Sequence, residues 1–338
     1  SICAGHPEYI RDSGIETTTG PLGQGLGNAV GMAIAEEILR KKFGSTLINN
    51  KTYVIASDGD LMEGISHEAM SLAGHLKLKN LVVFFDNNKI SIDGSTSLSV
   101  SDNYKKRFEG YGWNFLEVNG HNEKQISKAI TKASKANKPT IISCKTIIGF
   151  GSPNKSGKAS SHGSPLGDEE IKLVRKKLKW NSEPFKIPED ILNSWREIGE
   201  KGIELESKWL ETLDKKSSNI KSTLKGIYID SDLKDLKSLI KKEKIKYFES
   251  KPSMATRQCS STAIESISSI LPQLIGGSAD LSGSNNTKTN NSKVISSKNF
   301  DGNYIHYGVR EHGMAAVMNG LALYSGLIPY GGTFLIFS

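Results

Sequence analysis

The chain has 338 residues, of which 44 are Lys or Arg and 36 are Asp or Glu, and its formal net charge is +8. A 37% hydrophobic content with 33 glycines excludes a disordered or fibrous protein, and the apolar runs are far shorter than the roughly 20 residues of a membrane-spanning helix. The three cysteines are widely scattered, which argues against a disulfide framework or a cysteine metal cluster and favours a reducing, cytoplasmic location.

The positive charge is concentrated in one segment. Lys172–Lys251 has 20 basic and 14 acidic residues, interleaved at helical spacing. Such a mixture is typical of a solvated helical surface and not of a stripe that follows nucleic-acid phosphates. Nucleic-acid binding is therefore the weakest of the functions considered, and we expect neither a nucleic-acid nor a membrane partner.

The first half of the sequence alternates strand-like and helical patterns. Apolar runs at Tyr53–Ser57, Leu81–Asp86 and Thr140–Lys145 predict buried parallel strands. Helical periodicity is found in four segments: Asn28–Phe43, Ile65–Leu76, Tyr104–Tyr111 and Glu123–Asn137. The alternation predicts a doubly wound α/β sheet, in which ligands bind at the carboxyl ends of the strands.

The second half of the sequence is first charged and helical and then returns to an α/β pattern. The helical segment extends from Pro165 to about Lys251. After Pro252 we predict a helix, a strand, a polar loop, a helix and a strand, at Gln258–Leu271, Leu274–Ser278, Ser282–Ser297, Glu311–Tyr324 and Leu327–Tyr330. The two halves therefore share an α/β character.

Both ends of the sequence interrupt a pattern. Ser1 is not an initiator methionine, and Gly5–Glu8 arrives with no helix or strand before it. Gly332–Ser338 stops inside an apolar run. We therefore expect the sequence to be a fragment of a longer protein.

The strongest local signal is a pair of polar segments that follow two predicted strands, Ser57–Asp60 and Asp86–Asn88. Adjacent parallel strands would bring Asp58 and Asn88 to one sheet edge, where carboxylate and amide oxygens suit Mg²⁺ or Ca²⁺ bound to a phosphate. Gly59 would let a diphosphate approach the backbone at a helix N-terminus. The local pattern fits a simpler interpretation equally well, in which Asp58 is a turn residue and Asn87 and Asn88 cap a loop.

Three further signals are weaker when each is taken alone. The glycine-rich loop Thr17–Gly27 opens a helix but matches no nucleotide-binding motif, so an ordinary tight turn explains it as well. His6 and His162 lie in loops where an imidazole can meet a ligand, and neither has metal-ligand spacing. Glu311 begins a predicted helix, where a carboxylate is more often a simple partner of the helix dipole.

Several short motifs form a specific combination by their order and spacing. They are Gly5–Glu8, Thr18–Gly25, Asp58–Gly64, Ser71–Leu76, Asn88–Gly94, His162–Leu166, Gly277–Leu281, Arg310–His312 and Tyr330–Phe334. Together they resemble the transketolase family of thiamine-diphosphate enzymes over essentially the whole chain. One departure is Ser57, where the family usually has glycine.

The resemblance implies an α/β fold of two doubly wound parallel-sheet domains that bind thiamine diphosphate, joined by a helical linker, with the second domain truncated. The implied divisions are a diphosphate-binding domain at 1–180, a charged helical extension and linker at 181–251, and a pyrimidine-binding domain at 252–338. It also implies a homodimer, with the cofactor held between the diphosphate domain of one chain and the pyrimidine domain of the other.

The resemblance further implies which residues bind the cofactor and its metal. Asp58, Asn88 and the backbone carbonyl of Ile90 match the ligands of Mg²⁺, Ca²⁺ or another divalent cation. The implied cofactor contacts are Gly20, Pro21, Leu22, Gly59, Glu63, Asn88, His162, Phe334 and Phe337. Among these, Glu63 matches a carboxylate that links the two sites of a dimer, and the two phenylalanines match aromatic residues packed on the pyrimidine ring.

Catalytic and substrate-binding roles are implied in the same way. Glu311 matches the glutamate that hydrogen-bonds the aminopyrimidine ring, and with His162 and His6 it forms the implied catalytic set. His6, His162, Arg257 and Ser284 match sugar contacts, the last two facing the phosphate. An arginine there can grip a phosphate with two hydrogen bonds.

The implied activity is the reversible transfer of a two-carbon ketol unit from a ketose phosphate such as xylulose 5-phosphate to an aldose phosphate such as ribose 5-phosphate, in the pentose phosphate pathway. Close alternatives are dihydroxyacetone synthase and other thiamine-diphosphate enzymes, of which deoxyxylulose-phosphate synthase fits the motifs less well. An alternative of another class is a non-catalytic transketolase-like subunit, against which the retained Asp58, Asn88 and Glu311 argue.

Overall fold

The structure, a computed structural model, describes residues 5–10, 13–228 and 234–337. Ser1, Cys3 and Ser338, which enter the sequence argument, lie outside these residues. The first part of the described chain is built on a parallel sheet of four strands in the order β1-β2-β4-β3. These strands are β1 (Thr52–Ser57), β2 (Leu81–Asn87), β3 (Asn114–Asn119) and β4 (Thr140–Lys145). The helices of this part are α1 (Gln24–Phe43), α2 (Asp58–Met62), α3 (Gly64–Leu76), α4 (Tyr104–Gly110), α5 (Glu123–Ser134) and α6 (Asp168–Leu178).

A second parallel sheet lies in the last third of the chain, with the strand order β6-β5-β7. Its strands are β5 (Leu274–Ser278), β6 (Tyr304–His306) and β7 (Ile328–Pro329). The helices around it are α10 (Thr256–Ser268), α11 (Ser282–Asn285) and α12 (Glu311–Leu323). Between the two sheets the chain forms α7 (Glu189–Asp214), α8 (Ser218–Tyr228) and α9 (Lys234–Ser250). Two parallel sheets with helices confirm the predicted α/β fold class.

The strands that the sequence predicted best are those with continuous apolar runs. β4 and β5 have the predicted bounds, and β1 and β2 are each one residue longer. The prediction missed β3, because its exposed Glu117 and half-buried neighbours interrupt the apolar pattern of a buried strand. It also missed the three-residue β6, and it made the last strand too long, since β7 covers only Ile328–Pro329.

One helical prediction and one loop prediction also need correction. The helix predicted at Ile65–Leu76 is preceded by a separate short helix, α2, which begins directly after β1. Ser57 caps α2, and its side chain and the backbone of the same residue both bond to Asp60. The segment Ser282–Ser297, predicted as a polar loop, begins with the single turn α11.

In its described residues the charged middle segment is largely helical, as predicted, and much of it is exposed. None of the residues of α7 is fully buried. Trp209 attaches α7 to the first part of the chain, because its Nε1 donates a hydrogen bond to the backbone carbonyl of Leu47 at 2.9 Å. Within the described ranges, no helix is long and apolar enough to span a membrane.

The packing of α1 against α12 joins the two parts of the chain. Val30 and Ile34 of α1 and Val317 and Leu321 of α12 are all fully buried in one apolar core. The two helices approach at glycines: a Cβ added to Gly320 would overlap the carbonyl oxygen of Asn28, and one added to Gly31 would overlap that of Val317. The backbones can therefore lie this close only because these positions have no side chain.

We expect the substitution Gly320→Ala to lower the free energy of unfolding by about 1 to 3 kcal/mol, because the new methyl group must push α12 away from α1. The measurement is urea denaturation followed by circular dichroism. Gly202→Ala in the exposed middle of α7 is the control, since an added Cβ meets no atom within 4 Å there and should stabilise the helix slightly. Equal denaturation midpoints for the two variants would contradict the packing argument.

Candidate functional site

The carboxyl ends of β1 and β2 bring the predicted cation ligands to one edge of the sheet. Ser57 pairs with Asp86 in the parallel register, so the polar residues that follow the two strands are neighbours. Asp60 fixes the turn after β1: its Oδ2 accepts hydrogen bonds from the backbone N–H and the hydroxyl of Ser57, both at 2.8 Å. Its Oδ1 accepts from the backbone N–H of Gly23 at 3.0 Å. Asp60 therefore ties the start of α2 to the glycine-rich loop.

Asp58 is a buried carboxylate, with only 2% of the residue exposed. Its Oδ2 accepts a hydrogen bond from the backbone N–H of Lys89 at 3.0 Å, and the hydroxyl of Tyr104 lies 3.5 Å from its Oδ1. Burial raises the pKa of Asp58, and the nearby carboxylate of Asp86 raises it further. A cation bound at this carboxylate would favour its charged form and so oppose both effects.

Asn88 is oriented by its neighbours. Its Nδ2 donates to Asp86 Oδ2 at 3.1 Å, and its Oδ1 accepts from the backbone N–H of Ile90 at 2.9 Å. An amide oxygen has two lone pairs, so Oδ1 keeps one for a further partner. The preceding Asn87 has a buried Oδ1 that finds no hydrogen-bond partner in the described part of the chain.

The donor set at this edge fits a hard divalent cation. It offers a buried carboxylate of Asp58 and an amide oxygen of Asn88, which are ligand types that Mg²⁺ and Ca²⁺ prefer, and the family resemblance adds the carbonyl of Ile90. Asp58 also borders an open cavity of about 670 Å³ together with Asn87 and Lys89, so the buried residue lies at the wall of a space that opens to the outside. These residues could hold a metal that is bound to a phosphate.

The predicted diphosphate-binding residues lie beside this edge. A Cβ built on Gly59 would lie 3.2 Å from Leu22, so the start of α2 and the glycine-rich loop are in direct contact. Pro21 is exposed at the tip of the loop, and Glu63 is exposed at the junction of α2 and α3. Because Gly59 has no side chain, Leu22 can pack this closely against the backbone of α2.

The two predicted loop histidines line one cavity. His6, Gly20, Leu22 and His162 all border a space of about 710 Å³, together with residues of β1. Both imidazoles are exposed. The structure thus brings together two histidines that are far apart in the sequence.

A buried carboxylate holds the loop that carries His162. Glu170, in the first turn of α6, accepts hydrogen bonds from the hydroxyl of Ser152 and from the backbone and side-chain nitrogens of Asn154, the latter two at 2.9 and 2.8 Å. These hydrogen bonds lower the pKa of Glu170 to about 2. Ser161, next to His162, donates to the carbonyl of Lys155 at 2.6 Å. The loop is therefore fixed at several points.

A separate cavity gathers the predicted residues of the second half. Arg257, Ser284 and Phe334 border a space of about 760 Å³, with Thr333 beside them. The hydroxyl of Thr333 donates to Glu311 Oε1 at 3.2 Å, which connects the carboxylate at the start of α12 to this cavity. None of the predicted residues of one cavity borders the other.

The two predicted ring-packing residues form a pair near the end of the described chain. The ring centroids of Phe334 and Phe337 lie 6.1 Å apart at an angle of 34°. Both are substantially exposed, at 41% and 55%. Their rings therefore form an apolar surface that is partly exposed in this chain.

Sequence reasoning missed three residues that hold the site in place: Glu68, Tyr104 and Thr333. Glu68 Oε2 accepts from the backbone N–H of Gly313 at 2.7 Å and so fastens α3 to the start of α12. Glu68 and Tyr104 stand within ordinary helical patterns, and their roles come from contacts across the fold. Thr333 belongs to a motif that the resemblance had singled out, which was the signal available.

Comparison with known proteins gives a consistent result. Residues 1–227 match the model of the transketolase thiamine diphosphate binding domain, and residues 252–338 match that of the transketolase pyrimidine binding domain. A transketolase of Sinorhizobium medicae is 49% identical over 100% of this chain and 48% of its own length. The chain spans about half the length of the curated relatives that it matches.

Solved structures agree with this. A transketolase from Leishmania mexicana matches with a TM-score of 0.88 and 37% identity, over 98% of this chain and 50% of that one. A transketolase from Pichia stipitis in complex with sedoheptulose 7-phosphate matches with a TM-score of 0.85 and 36% identity, over 96% of this chain and 50% of that one. The similarity therefore extends over both sheets and the helices between them.

Glu170 should make the stability of the chain depend on pH in the acidic range. Because its pKa is lowered from 4.5 to about 2 in the folded chain, its contribution is present above about pH 4.5 and is lost as the pH falls towards 2. We expect Glu170→Gln to lower the urea midpoint at pH 7, and the difference from the unsubstituted chain to shrink below pH 4.5. The exposed neighbour Glu169→Gln is the control and should show little difference at either pH. A Glu170→Gln difference that stayed constant from pH 7 to pH 3 would refute the assignment.

Proposed function

We propose that this chain, which belongs to the transketolase family, supplies the cofactor-binding and much of the sugar-binding surface of an enzyme that transfers a two-carbon ketol unit between sugar phosphates. The observation that carries the proposal is the presence, in one chain, of a buried cation-ligand edge at Asp58 and Asn88 and of a carboxylate, Glu311, held at the start of α12. The proposed donor is a ketose phosphate such as xylulose 5-phosphate, and the proposed acceptor is an aldose phosphate such as ribose 5-phosphate.

Thiamine diphosphate, when bound, supplies the centre that stabilises the carbanion of the transferred unit. Asp58, Asn88 and the carbonyl of Ile90 would hold Mg²⁺, or another divalent cation, against the diphosphate. The bare backbone at Gly59 and the loop at Gly20 to Leu22 would lie along the same group. The chain therefore has to position and polarise the cofactor, and oxygen ligands with open backbone suit that task.

Glu311 would hold a proton at the aminopyrimidine ring. Its Oε1 is already engaged by the hydroxyl of Thr333, so the carboxylate has a fixed orientation and Oε2 is left for the ring. Phe334 and Phe337 would cover the ring face. A carboxylate that favours one protonation state of a bound ring is an established way to prepare a proton transfer.

The sugar would be held by two groups of residues. His6 and His162 would bind hydroxyl groups and move their protons, since an imidazole can donate or accept near neutral pH. Arg257 and Ser284 would bind the phosphate, the guanidinium through two parallel hydrogen bonds. The fixed loop around His162 supports this role, because a positioned imidazole is more effective than a mobile one.

The same proposal includes a homodimer with the cofactor between two chains. Within one chain the histidine cavity and the Arg257 cavity are separate, and Phe334 and Phe337 are exposed. Pairing the histidine cavity of one chain with the Arg257 cavity of another would complete the site. A diphosphate domain at 1–180, a linker at 181–251, a pyrimidine domain at 252–338, a cytoplasmic location and a place in the pentose phosphate pathway also belong to this proposal.

The activity is tested on the protein from the complete open reading frame, with thiamine diphosphate, Mg²⁺, xylulose 5-phosphate and ribose 5-phosphate. We expect sedoheptulose 7-phosphate and glyceraldehyde 3-phosphate, formed only when the cofactor is present. Glu311→Gln should lower kcat by about a hundredfold or more, because a proton-transfer partner is lost, while thiamine diphosphate binding changes little. The exposed Glu249→Gln is the control. Cofactor-independent product, or full activity of Glu311→Gln, would reject the proposal.

The cation site is tested by stability measurements. In the presence of thiamine diphosphate, Mg²⁺ at a hundred times its dissociation constant should raise the free energy of unfolding by about 2.7 kcal/mol. Asp58→Asn should abolish this increase. Because burial raises the pKa of Asp58, the charged carboxylate is unfavourable in the folded chain at pH 7, so this variant should be more stable than the unsubstituted chain without metal. Asp301→Asn, on an exposed loop, should behave like the unsubstituted chain. An unchanged Mg²⁺ response in Asp58→Asn would show that the cation binds elsewhere.

A further inference from the structure

A cavity of about 510 Å³ lies at the end of the first sheet that is opposite to Asp58. Its walls come from the ends of α1 and α3 and from the segment Ser297–Phe300 of the second half. Because α1 ends shortly before β1 begins, and α3 shortly before β2 begins, the cavity lies near the amino ends of these strands. It is thus about 20 Å, the length of a strand, from the proposed cofactor edge. We call it the basic cavity.

The basic cavity is lined by an excess of positive charge. Its five cationic residues are Arg40, Lys41, Lys77, Lys79 and Lys298. The acidic residue in its lining, Glu37, is already bound by the guanidinium of Arg40, which also contacts Glu36 at 3.1 Å. The four lysines form no hydrogen bond or ion pair through their side chains with any of the residues that the structure describes.

Helix ends do not account for this excess. The carboxyl ends of α1 and α3 each carry roughly half a negative charge, which favours cations nearby. Together they offset about one of the four unpaired lysine charges. Lys298 lies in a loop far along the chain and has no helix end of its own to complement. Glu36, the second carboxylate bound by Arg40, offsets one more charge, so a net positive charge of about two remains around one space.

The pKa of a neighbouring lysine is affected by one of these charges, although burial is the main cause of its shift. Burial lowers the pKa of Lys51, and the charge of Lys79 lowers it further, while Glu36 acts in the opposite direction. Asparagine and serine side chains complete the lining with neutral hydrogen-bond donors, at Ser45, Asn137, Ser297 and Asn299. Phe300 packs against the apolar core and anchors the second-half wall. The cavity therefore combines unpaired cations, neutral donors and an anchored wall.

We propose that the basic cavity binds a small polyanion with two or more phosphate groups. Lysines act as point charges on flexible stems, so they recognise the phosphates and not the group that joins them. A condensed inorganic phosphate and a sugar bisphosphate share this chemistry. Because the lysines come from both parts of the chain, the bound anion would draw α1, α3 and the Ser297–Phe300 segment together, far from the cofactor site.

The proposal is tested by calorimetric titration of the chain with inorganic tripolyphosphate and, separately, with fructose 1,6-bisphosphate, in metal-free buffer. The double variant Lys79→Gln/Lys298→Gln removes one cation from each wall. We expect it to weaken binding of the better probe by about tenfold or more, which is the loss of at least one charge-assisted contact. Lys124→Gln/Lys128→Gln, on the exposed surface of α5, removes the same charge elsewhere and should change binding less than twofold.

Hydrogen exchange locates the bound probe independently of affinity. We expect added protection of the backbone at Lys77 to Lys79 and at Ser297 to Phe300, and none in the Lys79→Gln/Lys298→Gln variant. Tighter binding of tripolyphosphate would identify a condensed phosphate as the ligand, and tighter binding of the bisphosphate a phosphorylated sugar. No binding, equal weakening in both double variants, or protection confined to the Arg257 cavity would overturn the proposal. Neither measurement needs cofactor or activity, so the result does not depend on the proposed function.

Discussion

The close approach of α1 and α12 is the constraint on which the rest of the structure depends. Gly31 and Gly320 let the two backbones touch, and the buried side chains on either side form one core with both sheets. Because this contact fixes the start of α12 against α3, Glu68 can reach the backbone of Gly313. The position of Glu311 relative to the first half of the chain therefore depends on Gly31 and Gly320 having no side chain.

The proposed cofactor edge depends in turn on one carboxylate. Asp60 bonds to Ser57 on one side and to Gly23 on the other, so it holds the turn after β1 and the glycine-rich loop at a fixed separation. This leaves Asp58 buried and unpaired by any described cation, an arrangement that favours a metal over a neutral ligand. Because the folded chain buries an uncompensated charge here, cation binding and the stability of the fold are linked.

The sequence predicted the buried strands and long helices well, because their apolar patterns are continuous. It could not predict β3, whose exposed Glu117 breaks the pattern, or α2, whose existence depends on the bond between Ser57 and Asp60. The candidate residues came from motifs, but their grouping did not. That His6 and His162 share one cavity while Arg257 lies in another follows from how the sheets pack, which no local spacing encodes.

The net charge of the chain by itself also indicated no function, and the positions of the charged residues in the fold were needed. Among the described residues, the excess in Lys172–Lys251 lies largely on exposed helices, whereas the basic cavity uses lysines from α1, from the segment after α3 and from a distant loop. The loop around His162 shows a related consequence of placement. Its ordering entropy is lost when the chain folds, through the hydrogen bonds of Glu170, and not when a ligand arrives. Weak contacts to a small polar ligand can then appear almost undiminished as affinity, and selectivity among the proposed sugar ligands can rest on single hydroxyl groups.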